Sequence, residues 1–151
     1  MESFHPIVVH FPIALLLSAL VIETLALLFK NPFLHRVSLC NLGLGFLGAA
    51  AAVFTGRLAM AVAKHSYEIH QVMELHEHLG YVVCGLAASV FTGRILLQDR
   101  LTAAQRWCAF FLLFLACGLM VFSAHLGGRL VYEYGVGGSY GRSLPGIEMV
   151  Q

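Results

Sequence analysis

Eight histidines stand in a chain of 151 residues, and their spacing is what could do chemistry. His5 and His10 frame the opening HPIVVH, His65 and His70 lie near the middle, His76 and His78 enclose Glu77, and His125 comes late. A neutral imidazole offers one ring nitrogen as ligand or base, and two imidazoles from facing helices can hold one centre between them. What these residues can do depends on the elements that carry them.

The composition identifies those elements. The chain is 59% hydrophobic and 11% charged, with a mean hydropathy of +0.81, whereas an ordinary soluble domain is about 45–50% apolar and about 25% charged. The excess falls into four runs, at 7–29, 37–56, 79–98 and 107–131. Each approaches or exceeds the roughly 18–20 residues that cross a bilayer as a helix. A soluble bundle of this composition would lack polar side chains to cover its surface. The expected fold is therefore all-α, an integral membrane four-helix up-down bundle with both termini on one side. A Gly- and Tyr-rich tail follows at 132–151.

The N-terminus has no basic region before its apolar run, so the first helix is expected to be retained rather than cleaved. A net charge of +1 and a pI near 7.8 give no reason to expect nucleic acid. Cys40, Cys84, Cys108 and Cys117 fall within the spans and act there as small apolar residues. No CxxCH is present for covalent haem attachment.

Let side A be the N-terminal side of the membrane and side B the opposite one. The segment from Arg57 to Leu75 then reads as a polar loop on side A, with His65 and His70 solvated in it. Side B carries Lys30, Arg36, Arg94, Arg100 and Arg106, and side A carries Arg57, Lys64, Arg129 and Arg142. The excess of Lys and Arg on B makes B cytoplasmic and puts the termini outside. His35 alone belongs to side B, and the other seven histidines gather towards A. His10, His76, His78 and His125 enter the apolar spans at similar depth on three helices.

Haem b, one or two per chain, is the leading reading of such a cluster, because it needs paired imidazoles at matching height in a bundle. His10, His76, His78 and His125 are the candidate axial ligands, with His65 and His70 open to a second site. Gly80 and Gly118 would leave space for the macrocycle, and Arg57, Lys64 and Arg129 could pair with propionates. Zinc or copper held by His70, His76 and His78 with Glu68, Glu74 and Glu77 is the alternative. A structural or transport subunit without a cofactor is the plainest reading. An intramembrane His often serves only a helix contact, and the stripe Gly48, Ala52, Gly56 reads first as close helix packing.

Two further features stand out. GAAAAVFTGR (48–57) and GLAASVFTGR (85–94) agree at eight of ten positions, and each Thr-Gly-Arg reads as a helix end with a terminal cation. Glu23 is an intramembrane acid that reads as protonated or paired with Arg94 or Arg106.

HPIVVHFPIALLL at the start, HEHLG at 76–80 and HLGGRLVYEYGVG at 125–137 together resemble the bacterial membrane family called domain of unknown function 2231. The resemblance covers nearly the whole chain. It implies a four-helix membrane domain associated with cytochromes and a b-type haem, with family histidines at His10, His76 and His125. The combined expectation is an electron-transfer protein of the bacterial cytoplasmic membrane rather than a stand-alone enzyme. It would work with lipid, with a redox partner protein or quinone, and with Gly-rich faces that permit a homodimer.

Overall fold

Among the described residues the chain builds four α-helices in an up-down ring. A computed structural model describes residues 5–62, 67–97 and 100–136. Within these, α1 is His5–Phe29, α2 Pro32–Val62, α3 Tyr67–Leu97 and α4 Ala103–Tyr132. All four are long and apolar enough to cross a membrane. Helices of 25 to 31 residues exceed the roughly 20 that span hydrocarbon, so their ends project into the interfaces.

α2 and α3 run further towards side A than the apolar runs indicate, and Arg57, Glu68, His70 and Glu74 are helical rather than in a loop. No Gly or Pro stands between Leu58 and Leu79. With no breaker, continuing the helix pairs backbone groups that a loop would leave to solvent. Neither Thr-Gly-Arg ends its helix: α2 continues past Arg57 to Val62 and α3 past Arg94 to Leu97. His65 and Lys64 lie outside the described residues.

The local sequence explains the remaining boundaries. Lys30 takes a left-handed φ of 51°, and the Asn31 N–H closes onto the Ala26 carbonyl at 3.0 Å. The Asn31 side-chain oxygen then accepts from the Phe33 and Leu34 N–H groups, with Pro32 in the first turn of α2 where its missing donor costs nothing. Thr102 caps α4 through a reciprocal box with Gln105. At the far end Gly135, at φ 66°, lets Val136 bond back to the Leu130 carbonyl.

α1 packs on α2, α2 on α3 and α3 on α4, while α4 closes on α1 through the sparsest of the four interfaces. Leu16, Ala19, Leu42, Ala87, Leu113 and Cys117 form the centre of the core. The closest seam is between α1 and α2, where a Cβ on Gly45 would come 2.8 Å from Leu16 and one on Gly48 would come 2.9 Å from Phe11. Small residues there allow the backbones to approach, as the packing reading of that stripe requires. Large apolar residues such as Val21, Leu28, Phe54, Phe111 and Phe114 stay exposed around the outside, a surface suited to lipid.

Candidate functional site

The polar chemistry sits in two interior clusters at opposite ends of the bundle. The cluster at the A end is built from His5 and His76, on α1 and α3 across the ring. Their imidazole centres are 6.2 Å apart with planes at 79°. The His76 Nδ1–H donates to the Ser123 carbonyl at 2.9 Å, with the Ser123 hydroxyl at 3.0 Å. His5 Nδ1 lies 3.1 Å from Thr55 Oγ1. The Thr55 hydroxyl has the Ala51 and Ala52 carbonyls as acceptors, which lets it accept from His5 Nδ1–H. In that arrangement both rings donate from Nδ1 and keep Nε2 as the lone pair, an arrangement open to a metal-ligating histidine.

Two glycines make room for these rings. A Cβ on Gly56 would lie 3.0 Å from His5 Cε1, and one on Gly127 would lie 3.1 Å from His76 Cε1. Beside them Glu77 accepts the Tyr81 hydroxyl at 2.7 Å and approaches Arg57 at 3.6 Å, where Arg57 is largely exposed.

At the B end the Glu23 carboxylate is buried. Arg94 Nη1 donates to one oxygen at 2.8 Å, and His35 Nδ1 meets the other at 2.9 Å. Arg94 Nη2 donates to the His35 carbonyl, and Ser38, 3.5 Å from Arg94 Nη1, donates its own hydroxyl to the Ala19 carbonyl. Among the described residues no buried side-chain nitrogen or oxygen lacks a partner. Of the two partners that sequence offered for Glu23, Arg94 is the one it meets, while Arg106 turns to the Leu101 carbonyl. Arg94 is thus a buried cation rather than one facing headgroups. Setting it aside leaves the Lys and Arg of the two sides at four against four, so the charge bias gives no orientation.

The other candidate residues are spread over outer faces. His10 is exposed, its Nδ1–H donating to the Pro6 carbonyl at 2.6 Å, and His78 is exposed with the same bond to Glu74 at 2.7 Å. His70 and His125 are exposed on α3 and α4. His76 therefore meets His5 and not His10. Gly80 faces Val53 at 3.5 Å, while Gly118 has no neighbouring atom within 4 Å of where a Cβ would stand. Arg129 is held by Glu133 at 2.8 Å and by the Tyr134 hydroxyl at 3.3 Å. Among the described residues no group of three or more His, Cys, Asp or Glu is arranged to hold a metal ion, so His70, His76 and His78 with their glutamates do not assemble into one site.

His5 is the functional candidate that sequence reasoning passed over. It precedes Pro6 and the apolar run, yet α1 begins at His5 itself. The available signal was Gly56 within the α2 stripe, a gap at the height where that imidazole lies.

No curated protein and no solved structure shows a match to this sequence. Residues 2–139 match the family of predicted membrane proteins DUF2231, and the chain belongs to that family.

Proposed function

We propose that this membrane protein is a small b-type cytochrome-like carrier whose haem iron is held between His5 and His76. The observation that carries the reading is the imidazole pair across the ring, 6.2 Å between ring centres in a T-shaped arrangement with both Nδ1 atoms hydrogen-bonded. Metal–imidazole bonds of about 2 Å on each side place two ring centres roughly 6 Å apart. The donor set favours haem over a bare ion. A structural zinc asks the protein for four ligands and a catalytic one for three, whereas haem brings four nitrogens of its own and needs only two imidazoles.

The surrounding residues fit that group. Gly56 and Gly127 let the two imidazoles lie close against α2 and α4. Arg57 and Arg129 stand on the A side as cations for propionates, each now paired with Glu77 or Glu133. When bound, the haem would supply one-electron chemistry. Thr55 and Ser123 would orient the two imidazoles that hold the iron, and two protein ligands would favour electron transfer over oxygen chemistry. The redox partner is a protein or a quinone reaching the A end.

The test is an oxidised and dithionite-reduced visible spectrum of the detergent-purified chain, with haem measured per chain. Sharp reduced α and β bands that disappear in His5→Ala and His76→Ala, yet persist in His10→Ala and His78→Ala, are expected. A colourless protein from haem-supplied cells overturns the reading.

A further inference from the structure

We infer that the bundle works as a clip: the hairpins α1–α2 and α3–α4 are two jaws, clasped at the B end and closing at the A end on the His5–His76 pair. What the jaws close on rests on the haem reading, whereas the jaws themselves follow from the packing. Within each jaw, close contact continues to the A end. In α1–α2 the Cβ positions of Gly45, Gly48 and Gly56 come 2.8 Å from Leu16, 2.9 Å from Phe11 and 3.0 Å from His5. Asn41 bonds Ser18, Ser38 bonds the Ala19 carbonyl, and Thr55 bonds the His5 ring. In α3–α4 the Gly127 Cβ position comes 3.1 Å from His76, whose ring bonds the Ser123 carbonyl. Each imidazole is thus fixed to its own jaw, and among the described residues no hydrogen bond ties either to the other jaw.

Between the jaws, close contact gathers at mid-height and in the B half. Cys117 Sγ reaches the Leu16 carbonyl at 3.4 Å. A Cβ on Gly43 of α2 would come 2.7 Å from Phe91 of α3, and the Phe46 and Phe91 rings stack with centres 6.4 Å apart. Three residues nearer side B, Arg94 donates to the Glu23 carboxylate at 2.8 Å and to the His35 carbonyl at 2.9 Å. One buried side chain of the second jaw therefore grips both helices of the first. Towards side A the seam loosens. Val53 lies an ordinary 3.5 Å from the Gly80 Cβ position, and Arg57 approaches Glu77 only at 3.6 Å from an exposed site. Such a surface ion pair holds little. Residues 63–66 join α2 to α3 at this end, so the jaws part between α1 and α4, the sparsest interface of the ring. Hinge motion needs one end that packing over-determines and one that it does not. Because the two imidazoles belong to different jaws, a group ligated by both ties the A ends together.

The experiment is electron–electron double resonance between spin labels on the full chain in lipid nanodiscs, with Cys40, Cys84, Cys108 and Cys117 each replaced by Ser. Ile7→Cys with Tyr132→Cys reads the jaws at the A end, and Phe29→Cys with Ala104→Cys reads them at the B end. Ile7→Cys with Leu58→Cys stays within one jaw, and all these positions are exposed. In the haem-free chain the A-end distance distribution is expected to be broad and the other two narrow. Added haem should narrow the A-end distribution, and Arg94→Met should broaden the B-end one. Haem that changes nothing, over a broad A end and a narrow B end, leaves the clip standing and overturns the haem reading alone. A narrow A-end distribution without haem, or a B-end distribution as broad as the A-end one, overturns the clip. So does a B end that folded Arg94→Met leaves narrow. The comparison of the two ends needs no change to the clasp, so it decides the matter if Arg94→Met fails to fold.

Discussion

The Glu23 carboxylate and the Arg94 guanidinium meet at 2.8 Å inside the bundle, joining α1 to α3 from positions 71 residues apart. Glu23 is 5% exposed and Arg94 8%, so each charge depends on the other. Removing one partner of such a pair costs about 3–5 kcal/mol, because the other is left buried and uncompensated. Glu23→Gln and Arg94→Met should each lower thermal stability in detergent sharply, and Glu23→Leu combined with Arg94→Met should recover much of the loss. Equal, additive losses would show that the pair does not act as a unit.

The same residue separates transport from electron transfer. Glu23 lies towards the B end and the paired imidazoles lie at the A end, so Glu23→Gln should leave the reduced haem spectrum of the surviving folded fraction unchanged. A spectrum altered by Glu23→Gln and untouched by His5→Ala would turn attention to the acid.

Gly127 and Gly56 supply a steric test. With 3.1 Å from the Gly127 Cβ position to His76 Cε1 and 3.0 Å from the Gly56 one to His5 Cε1, Gly127→Val and Gly56→Val should displace the imidazoles and lower haem per chain. Gly118→Ala meets no atom within 4 Å and should leave haem content as it was. Haem titration of the three variants checks this, and unchanged occupancy in both valine variants would count against the interior site.

Thr55 anchors only through its hydroxyl, whereas Ser123 also offers its backbone carbonyl. Thr55→Val should therefore weaken haem binding more than Ser123→Ala does. The expected loss is about 10- to 100-fold for Thr55→Val, the range found for groups that orient metal ligands. A larger effect for Ser123→Ala would mean that the hydroxyl, not the carbonyl, holds His76.

The turn between α1 and α2 offers a check on local structure. Asn31→Ala removes the oxygen that accepts from Phe33 and Leu34, at a cost of about 1 kcal/mol. Lys30→Gly relieves a left-handed φ of 51° and should add about 1 kcal/mol. Thermal unfolding in detergent reads both signs.

Four helices were legible in the sequence because hydropathy alone marks a bilayer span. That His76 lies at the end of the bundle where α1 begins was legible as well, since position along a helix follows from residue count. Azimuth was not. His5 and His10 are five residues apart, about 140° round the helix, so one faces the interior and the other the outer face. Which one met His76 depended on how α1 turns against α2, and that is set by Gly45 and Gly48 closing on Leu16 and Phe11. Arg94 shows the same limit: its Thr-Gly-Arg matches that of Arg57, yet a buried acid on another helix turns one inward and Glu77 holds the other at the surface.

The pairing of Glu23 with Arg94 also sets an order of assembly. During synthesis α1 enters the bilayer carrying a carboxyl whose partner has yet to be made. At about 5–20 residues per second, the 71 residues that separate the two take roughly 4–14 seconds. Through that interval the Glu23 carboxyl lacks the guanidinium that holds it in the folded bundle. His35, only 12 residues on, is the first group that can reach it. The imidazole that shares Glu23 in the folded bundle is thus made while the guanidinium is still in the ribosome.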